Sequence, residues 1–278
     1  MLSFFKTKKS LLKKKKYLDA QRLLRHVKNS ETFKAQAPLF EDERVVLETG
    51  KSREENYELV KKKALDFIFD KNWKIRNIGV KIIGEIRCKD GIEFLCNMLS
   101  NRREIGFIRR NSAKSLGMVG MVTPQVIAAL SASINSNYWE VRAEAIKSLG
   151  MLAGKNSEVE ESLLVRLFGK YYQNMLSQNS KRRIKFRERN FEVREAIAEN
   201  LGKVGVSKNA VLALKYLLKD DIWMVRSKAL NSLSLMMDHN DEFKKIITGV
   251  DLTCESFIPV FPLKEVFSEI VANNRVKK

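Results

Sequence analysis

The chain has 278 residues, of which 44% are hydrophobic and 9% aromatic, and its formal net charge is +19. This composition excludes global disorder. Because no segment reaches the roughly 18–20 apolar residues of a membrane-spanning helix, none is predicted. The three cysteines, Cys88, Cys96 and Cys254, are odd in number and lie in apolar helical context, so buried free thiols in a reducing compartment are predicted.

Residues 1–35 form a basic N-terminal arm, with eleven lysines or arginines against two acidic residues. Within it, the segment from Tyr17 to Lys28 can form an amphipathic helix. Three interpretations remain open: a solubilising, partly disordered tail, an electrostatic arm for nucleic acid, or a segment of residues 1–28 that lies on an anionic membrane surface. Residues 36–60 are predicted to form an N-terminal cap for the segment that follows.

Residues 61–250 contain five copies of one motif. It begins with an aromatic or small residue, any residue, Val or Ile and then Arg, and it ends in Leu or Ile and usually Gly. The third copy reads WEVRAEAIKSLG from Trp139. The aligned arginines are Arg76, Arg109, Arg142, Arg194 and Arg226, spaced by 33, 33, 52 and 32 residues. A fixed period of this size indicates a stacked repeat array.

Each copy predicts a helical hairpin. In the third copy, Val141, Ala145, Ile146 and Leu149 fall on one face of a first helix, and Asn135 or Asn137 is a plausible N-cap. Asp70, Asn190 and Asp220 are expected to cap other copies, and a second apolar helix follows each motif. A single hairpin cannot bury its apolar face, so neighbouring hairpins must stack.

This motif resembles the HEAT repeat, in the short form often labelled after phycobilisome lyases. The resemblance covers roughly residues 60–250 and implies an all-α fold, a right-handed α-solenoid of stacked hairpins of the armadillo-like class. It also implies that the motif arginines and the preceding Asp or Asn residues form structural ladders between repeats, and that the second helices line a concave surface.

A basic insertion near residues 171–189 accounts for the 52-residue spacing. The segment 177–189 holds six basic residues and Glu188. Insertions in repeat proteins often lie on the binding face. On the neighbouring second helices, Phe168 and Tyr171 are expected in the buried stripe and Arg166 and Lys170 on the opposite face. The predicted partner-binding residues are therefore Arg166, Lys170, Lys181, Arg182, Arg183, Lys185, Arg187, Arg189, Lys208, Lys215 and Lys219.

Residues 251–278 are predicted to be a C-terminal cap and tail, since the motif is lost and Pro259 and Pro262 interrupt the register.

No catalytic residue, metal site or cofactor is predicted. His26 and His239 have no partner at metal-ligand spacing, and the repeated His–Glu pairs of HEAT-like hydroxylases are missing. HEAT-like alkylpurine DNA glycosylases are similar in size and basicity, but their catalytic residues cannot be placed on this sequence. Trp73, Trp139 and Trp223 recur at one motif position, which favours a packing role over a binding surface.

The predicted function is that of a non-catalytic scaffold in the cytoplasm. The scaffold is predicted to bind a macromolecular partner through its concave face and basic insertion. The favoured partner is a protein with an acidic segment. Nucleic-acid binding is one alternative. Peripheral attachment to a membrane through the N-terminal arm is another, and no small-molecule substrate is evident.

Overall fold

A computed structural model describes residues 2–29, 53–177, 186–236 and 272, with side chains described from residue 11 onward except at 174, 175 and 177. Within these residues the fold is all-α, as predicted, and contains no strand. The helices are α1 (Leu2–Asn29), α2 (Arg53–Ile68), α3 (Trp73–Glu85), a 3₁₀ turn (Lys89–Gly91), α4 (Ile92–Ser100), α5 (Gly106–Val119), α6 (Pro124–Ser133), α7 (Trp139–Leu152), α8 (Ser157–Phe168), α9 (Tyr172–Ser177), α10 (Phe191–Val204), α11 (Lys208–Leu217) and α12 (Trp223–Met236).

The chain divides into two compact units, residues 1–129 and 130–278, and the division falls within α6. Cys88 and Cys96 are buried free thiols, as predicted; Cys254 lies outside the described residues. In the described part of the chain, none of the helices combines the length and the apolar character that crossing a membrane requires.

The first helix of each repeat forms where the motif predicts it. Val141, Ala145, Ile146 and Leu149 of α7 are fully buried, so the predicted apolar face is confirmed. Asn190 caps α10, because its side chain accepts a hydrogen bond from the Val193 backbone N–H. The expected caps of α3 and α7 were wrong. Asn72, not Asp70, caps α3, and α7 begins after Tyr138 without a side-chain cap.

In the first unit, α3 is the central helix. It packs against α1, α2 and α5, and α4 packs against α5. Helix α1 buries Ala20 and Val27, and Lys16 on α1 pairs with Asp70, which stands six residues before the motif arginine Arg76. This part of the arm is therefore a packed helix rather than a disordered tail. Helices α1 and α2 both pack on α3, ahead of the first motif.

In the second unit, α10 packs between α7 and α12, and α8 and α11 follow α7 and α10 as second helices. Helix α9 begins the insertion and packs on α8 and α11. It is held by Tyr172 and Leu176, both buried, and by a hydrogen bond from the Tyr172 hydroxyl to Glu161. The insertion therefore starts as ordered helix on the second-helix side of the unit.

Arginine–carboxylate pairs connect successive repeats. Arg142 donates to both carboxylate oxygens of Glu188 at 3.0 and 2.9 Å. Arg194 makes the same bidentate contact with Asp220 at 2.6 and 3.0 Å. Arg76 donates to Glu104 at 3.2 and 2.8 Å. These contacts confirm the ladders that the resemblance implied, and they place the motif arginines in the framework.

The motif glycines allow the first helices to approach closely. A Cβ added at Gly202 would lie 2.7 Å from the side chain of Ser232, and one at Gly84 would lie 2.5 Å from the hydroxyl of Ser115. Both serines donate hydrogen bonds to a backbone carbonyl of the preceding repeat, Ser232 to Ala198 at 2.7 Å and Ser115 to Val80 at 2.8 Å. Glycine and serine therefore form a second ladder beside the arginine pairs.

Candidate partner-binding surface

The basic insertion rejoins the second unit at the end of α8. The backbone N–H groups of Arg187 and Glu188 both donate to the Leu167 carbonyl, at 2.8 and 3.3 Å. Gly169 ends α8 with φ +102°, a backbone conformation that favours glycine, and its Cβ position would lie 3.7 Å from the Arg187 side chain. The departing and returning ends of the insertion therefore lie side by side.

Glu188 fixes the returning end. Its carboxylate is 1% exposed and accepts hydrogen bonds from Arg142, from Arg166 at 2.5 Å and from the Asn190 backbone N–H at 3.0 Å. Burial alone would raise the pKa of Glu188, but these hydrogen bonds and the charge of Arg166 hold the pKa below its ordinary value. The one carboxylate thus joins two repeats and the insertion.

Three aromatic rings form a cluster beside this junction. The centroid of the Phe168 ring lies 5.7 Å from that of Phe186 and 6.3 Å from that of Tyr216. The guanidinium of Arg194 lies 5.5 Å from the Phe186 centroid. Phe186 precedes Arg187 and Tyr216 follows Lys215, so the aromatic cluster brings the insertion and α11 together.

Four cations lie in sequence next to the segments that carry these rings, and we call them the basic surface: Lys170, Arg187, Lys215 and Lys219. Lys170, Arg187 and Lys219 are exposed, and Lys215 is half-buried. Burial first, and then the neighbouring charge of Lys219, hold the pKa of Lys215 below its ordinary value. A positive charge in this position would be stabilised by an anionic partner.

The other predicted partner-binding residues have different places. Arg189 and Lys208 are exposed. Arg166 was expected on an outward face, but its side chain is only 16% exposed and pairs with Glu188, so its role is structural. Tyr171 was expected in the buried stripe and is 82% exposed, which makes that prediction wrong. Lys181, Arg182, Arg183 and Lys185 lie outside the described residues.

Sequence reasoning missed the structural role of Glu188, which it counted only as a charge of the insertion. A signal was present, because an acidic residue stands six positions before a motif arginine at Asp70, Glu188 and Asp220. Each of these carboxylates pairs with a cation on an earlier helix. At Glu188 this position is where the chain returns from the insertion to the repeat.

The tryptophans of the motif also differ from expectation. Trp73 and Trp223 are 36% and 46% exposed, so a packing role describes them incompletely. In the described part of the chain no group of three or more His, Cys, Asp or Glu side chains could hold a metal ion.

Comparisons with known proteins agree with this architecture. A family model for HEAT repeats matches residues 62–150. No curated protein sequence matches the chain. The structure of the CpcE–CpcF complex of phycocyanin lyase from Nostoc sp. is similar, with a TM-score of 0.51 and 17% identity, covering 84% of this chain and 78% of that one. This likeness shows the fold alone.

Two further solved structures are more distant. An engineered protein has a TM-score of 0.49 and 16% identity, with 77% of this chain and 97% of that chain covered. Human deoxyhypusine hydroxylase has a TM-score of 0.32 and 12% identity, with 95% and 99% covered. The family model shows HEAT repeats over residues 62–150, and the motif copies and the arginine ladder continue the same pattern to Arg226.

Proposed function

We propose that this protein is a non-catalytic scaffold that binds an acidic segment of a partner protein through the basic surface and the adjoining insertion. The observation that carries the proposal is that the Phe168–Phe186 and Phe168–Tyr216 ring contacts hold the returning end of the insertion, with Arg187, beside α11, with Lys215. HEAT-type arrays present extended helical surfaces to proteins and peptides.

The chemistry of the basic surface supports an acidic peptide. Its cations follow α8, end the insertion, or lie on and just after α11, and the Phe168–Phe186 and Phe168–Tyr216 contacts hold these three segments together. The lowered pKa of Lys215 means that this ammonium gains more from an added carboxylate than a fully solvated lysine would. Charge complementarity of this kind raises association rates and selects partners by sign.

The experiment measures binding of a labelled polyglutamate peptide and capture of partners from a lysate. A Lys215→Glu/Lys219→Glu variant should lose both, and a Lys181→Glu/Arg182→Glu/Arg183→Glu/Lys185→Glu variant should weaken both. The matched control is Lys62→Glu/Lys89→Glu, two exposed lysines of the first unit. Equal peptide binding and an equal set of captured proteins in all variants would overturn the proposal.

A second candidate function is attachment to an anionic membrane surface through α1. Leu11 and Leu12 are 61% and 60% exposed and are followed by four consecutive lysines. Exposed apolar side chains beside clustered lysines suit a membrane interface, where each basic residue contributes about 1 kcal/mol. Deletion of residues 1–12, which keeps Lys16, should abolish sedimentation with phosphatidylserine vesicles. Unchanged sedimentation would exclude this function.

A further inference from the structure

A groove lies between α1 and α3 in the first unit, away from the basic surface. Its volume is about 450 Å³, within the roughly 300–1,000 Å³ typical of ligand pockets. Four of its lining side chains are cations, namely Arg25, Lys28, Lys74 and Lys81, and no lining residue is a carboxylate. The charged side chains of the groove lining are therefore all positive.

The cations extend from the groove onto α5. Lys81 is half-buried, and Lys28, Arg110 and Lys114 all lie near enough to act on it electrostatically. Burial first, and then these three charges, hold the pKa of Lys81 below its ordinary value, and Glu85 partly opposes them. Glu85 also lies 3.5 Å from Lys28. Like charges gathered at a half-buried position repel one another, so an anion bound there would be stabilised.

An aromatic surface occupies the same groove. The Trp73 ring is 36% exposed, and Tyr17 on α1 is half-exposed. The ammonium of Lys74 lies 5.9 Å from the centroid of each ring, which places the two rings beside the same cation. Gln21, Asn29 and Asn77 add amide groups to the lining. Rings, amides and cations thus share one cavity.

We propose that this groove binds single-stranded nucleic acid, with a base stacked on Trp73 and backbone phosphates on Lys28, Lys81 and Arg110. An acidic peptide would use the cations alone. A nucleotide also uses the aromatic face for stacking and the amides for its base edges. A duplex keeps its bases stacked on one another and offers no free face to Trp73.

The sequence contains a signal for these cations that the motif analysis did not use. Lys81, Lys114 and Lys147 each stand five residues after a motif arginine, at intervals of 33. The periodicity predicts where the lysines lie along their helices. It does not predict the groove, because the groove requires α1 to pack beside α3. This site and the basic surface belong to different units, so the two proposals stand independently.

The test uses the full chain and fluorescence anisotropy with labelled oligo-uridine, oligo-thymidine, a duplex of the same length and polyglutamate. Trp73→Ala should weaken binding of the single strands at least about fivefold, the lower range for loss of one stacked base. Trp73→Phe should retain most of the affinity. Trp223→Ala is the matched control, because Trp223 occupies the same motif position in the second unit.

Charge reversal tests the phosphate contacts. Lys81→Glu/Arg110→Glu should weaken binding and lower the dependence of log affinity on log salt by about 0.7 for each phosphate that is no longer neutralised. Lys62→Glu/Lys89→Glu should leave both unchanged. Circular dichroism and thermal unfolding of every variant establish that it is folded.

Several results would overturn the proposal. The first is equal single-strand binding by the Trp73→Ala variant and the wild type. The second is tighter binding of the duplex than of the single strands. The third is polyglutamate binding that depends on Lys81 and Arg110 to the same degree as single-strand binding does. Loss of single-strand binding only in the Lys215→Glu/Lys219→Glu variant would assign nucleic acid to the other unit. The Lys215 and Lys219 result with polyglutamate reports separately on the proposed scaffold function.

Discussion

At the scale of single residues, the repeat motif specifies ion pairs between neighbouring hairpins. Arg142, Arg194 and Arg76 each hold a carboxylate with two hydrogen bonds. A bidentate guanidinium–carboxylate pair has fixed geometry and is stronger than a neutral hydrogen bond. Glu188 differs from the other acids because two guanidinium groups, those of Arg142 and Arg166, share its carboxylate.

We predict that Glu188→Gln destabilises the second unit by about 3–5 kcal/mol, the usual cost of removing one partner from a buried ion pair. The substitution leaves Arg142 and Arg166 beside a neutral amide. Urea unfolding monitored by circular dichroism measures the change. Glu58→Gln is the control, because Glu58 pairs with Lys61 at the surface and should contribute less than about 1 kcal/mol. Equal stabilities of the two variants would contradict the prediction.

At the scale of helices, the contacts between repeats depend on small side chains. Helices α10 and α12 meet where Gly202 faces Ser232, and α3 and α5 meet where Gly84 faces Ser115. The serine hydroxyls bond to carbonyls of the neighbouring helix. The distance between first helices is therefore set by a glycine on one side and a serine on the other.

Gly202→Ala should destabilise the protein by about 1–3 kcal/mol, because the added Cβ would lie 2.9 Å from the Ser232 Cα and must push α12 away. In a helix interior, replacing glycine by alanine by itself stabilises the helix by about 1 kcal/mol. The steric cost outweighs this gain when α12 cannot shift freely. Thermal and urea unfolding measure the balance. Asn231→Ala, at an exposed position of α12, should stay within about 0.5 kcal/mol of wild type.

Helix α1 behaves as part of the repeat stack. Ala20 and Val27 are buried and Lys16 pairs with Asp70. We therefore expect the amides of residues 20–27 to be protected from hydrogen exchange, and Val27→Asp to remove that protection without unfolding α10. Exchange measured by mass spectrometry resolves the two helices. Fast exchange of residues 20–27 in the wild type would show that α1 is not packed.

At the scale of the whole molecule, the sequence predicts most of the architecture because the repeat imposes it. The apolar spacing of Val141, Ala145 and Leu149 was enough to place α7, since burial on one helical face follows from a period of 3.6 residues. Local sequence could not place Arg166. Its orientation depends on Glu188, 22 residues later, and on the path by which the insertion returns.

The groove between α1 and α3 was unpredictable for the same reason. Tyr17 and Trp73 lie far apart in sequence, and the motif does not extend to α1. The N-terminal lysines were recognised as a charged arm, whereas the position of Lys16 opposite Asp70 emerges only from the packing of α1. Periodic signals thus predict what is repeated, and the two candidate sites lie where other elements join the repeats.

Acid should destabilise the folded protein. Burial raises the pKa values of Asp70, Glu104 and Glu188, but hydrogen bonds and cations more than compensate, so each folded-state pKa lies below its ordinary value. Stability from these groups is present above the unfolded-state pKa values, about 3.9–4.3, and is lost as pH falls through the folded-state values. Urea unfolding at pH values between about 7 and 3 should show falling stability. A Glu188→Gln variant should show a shallower fall, and an identical slope would contradict the assignment.

The position of Glu188 has a consequence for protein design. The arginine–carboxylate ladder continues at Glu188. The contacts of Glu188 with Arg142 and Arg166 therefore do not involve the residues between α9 and Phe186. Their length and composition can change while the repeats on either side remain joined through Arg142 and Arg166. A designed graft at this point should therefore exchange one inserted segment for another and retain the same folded frame.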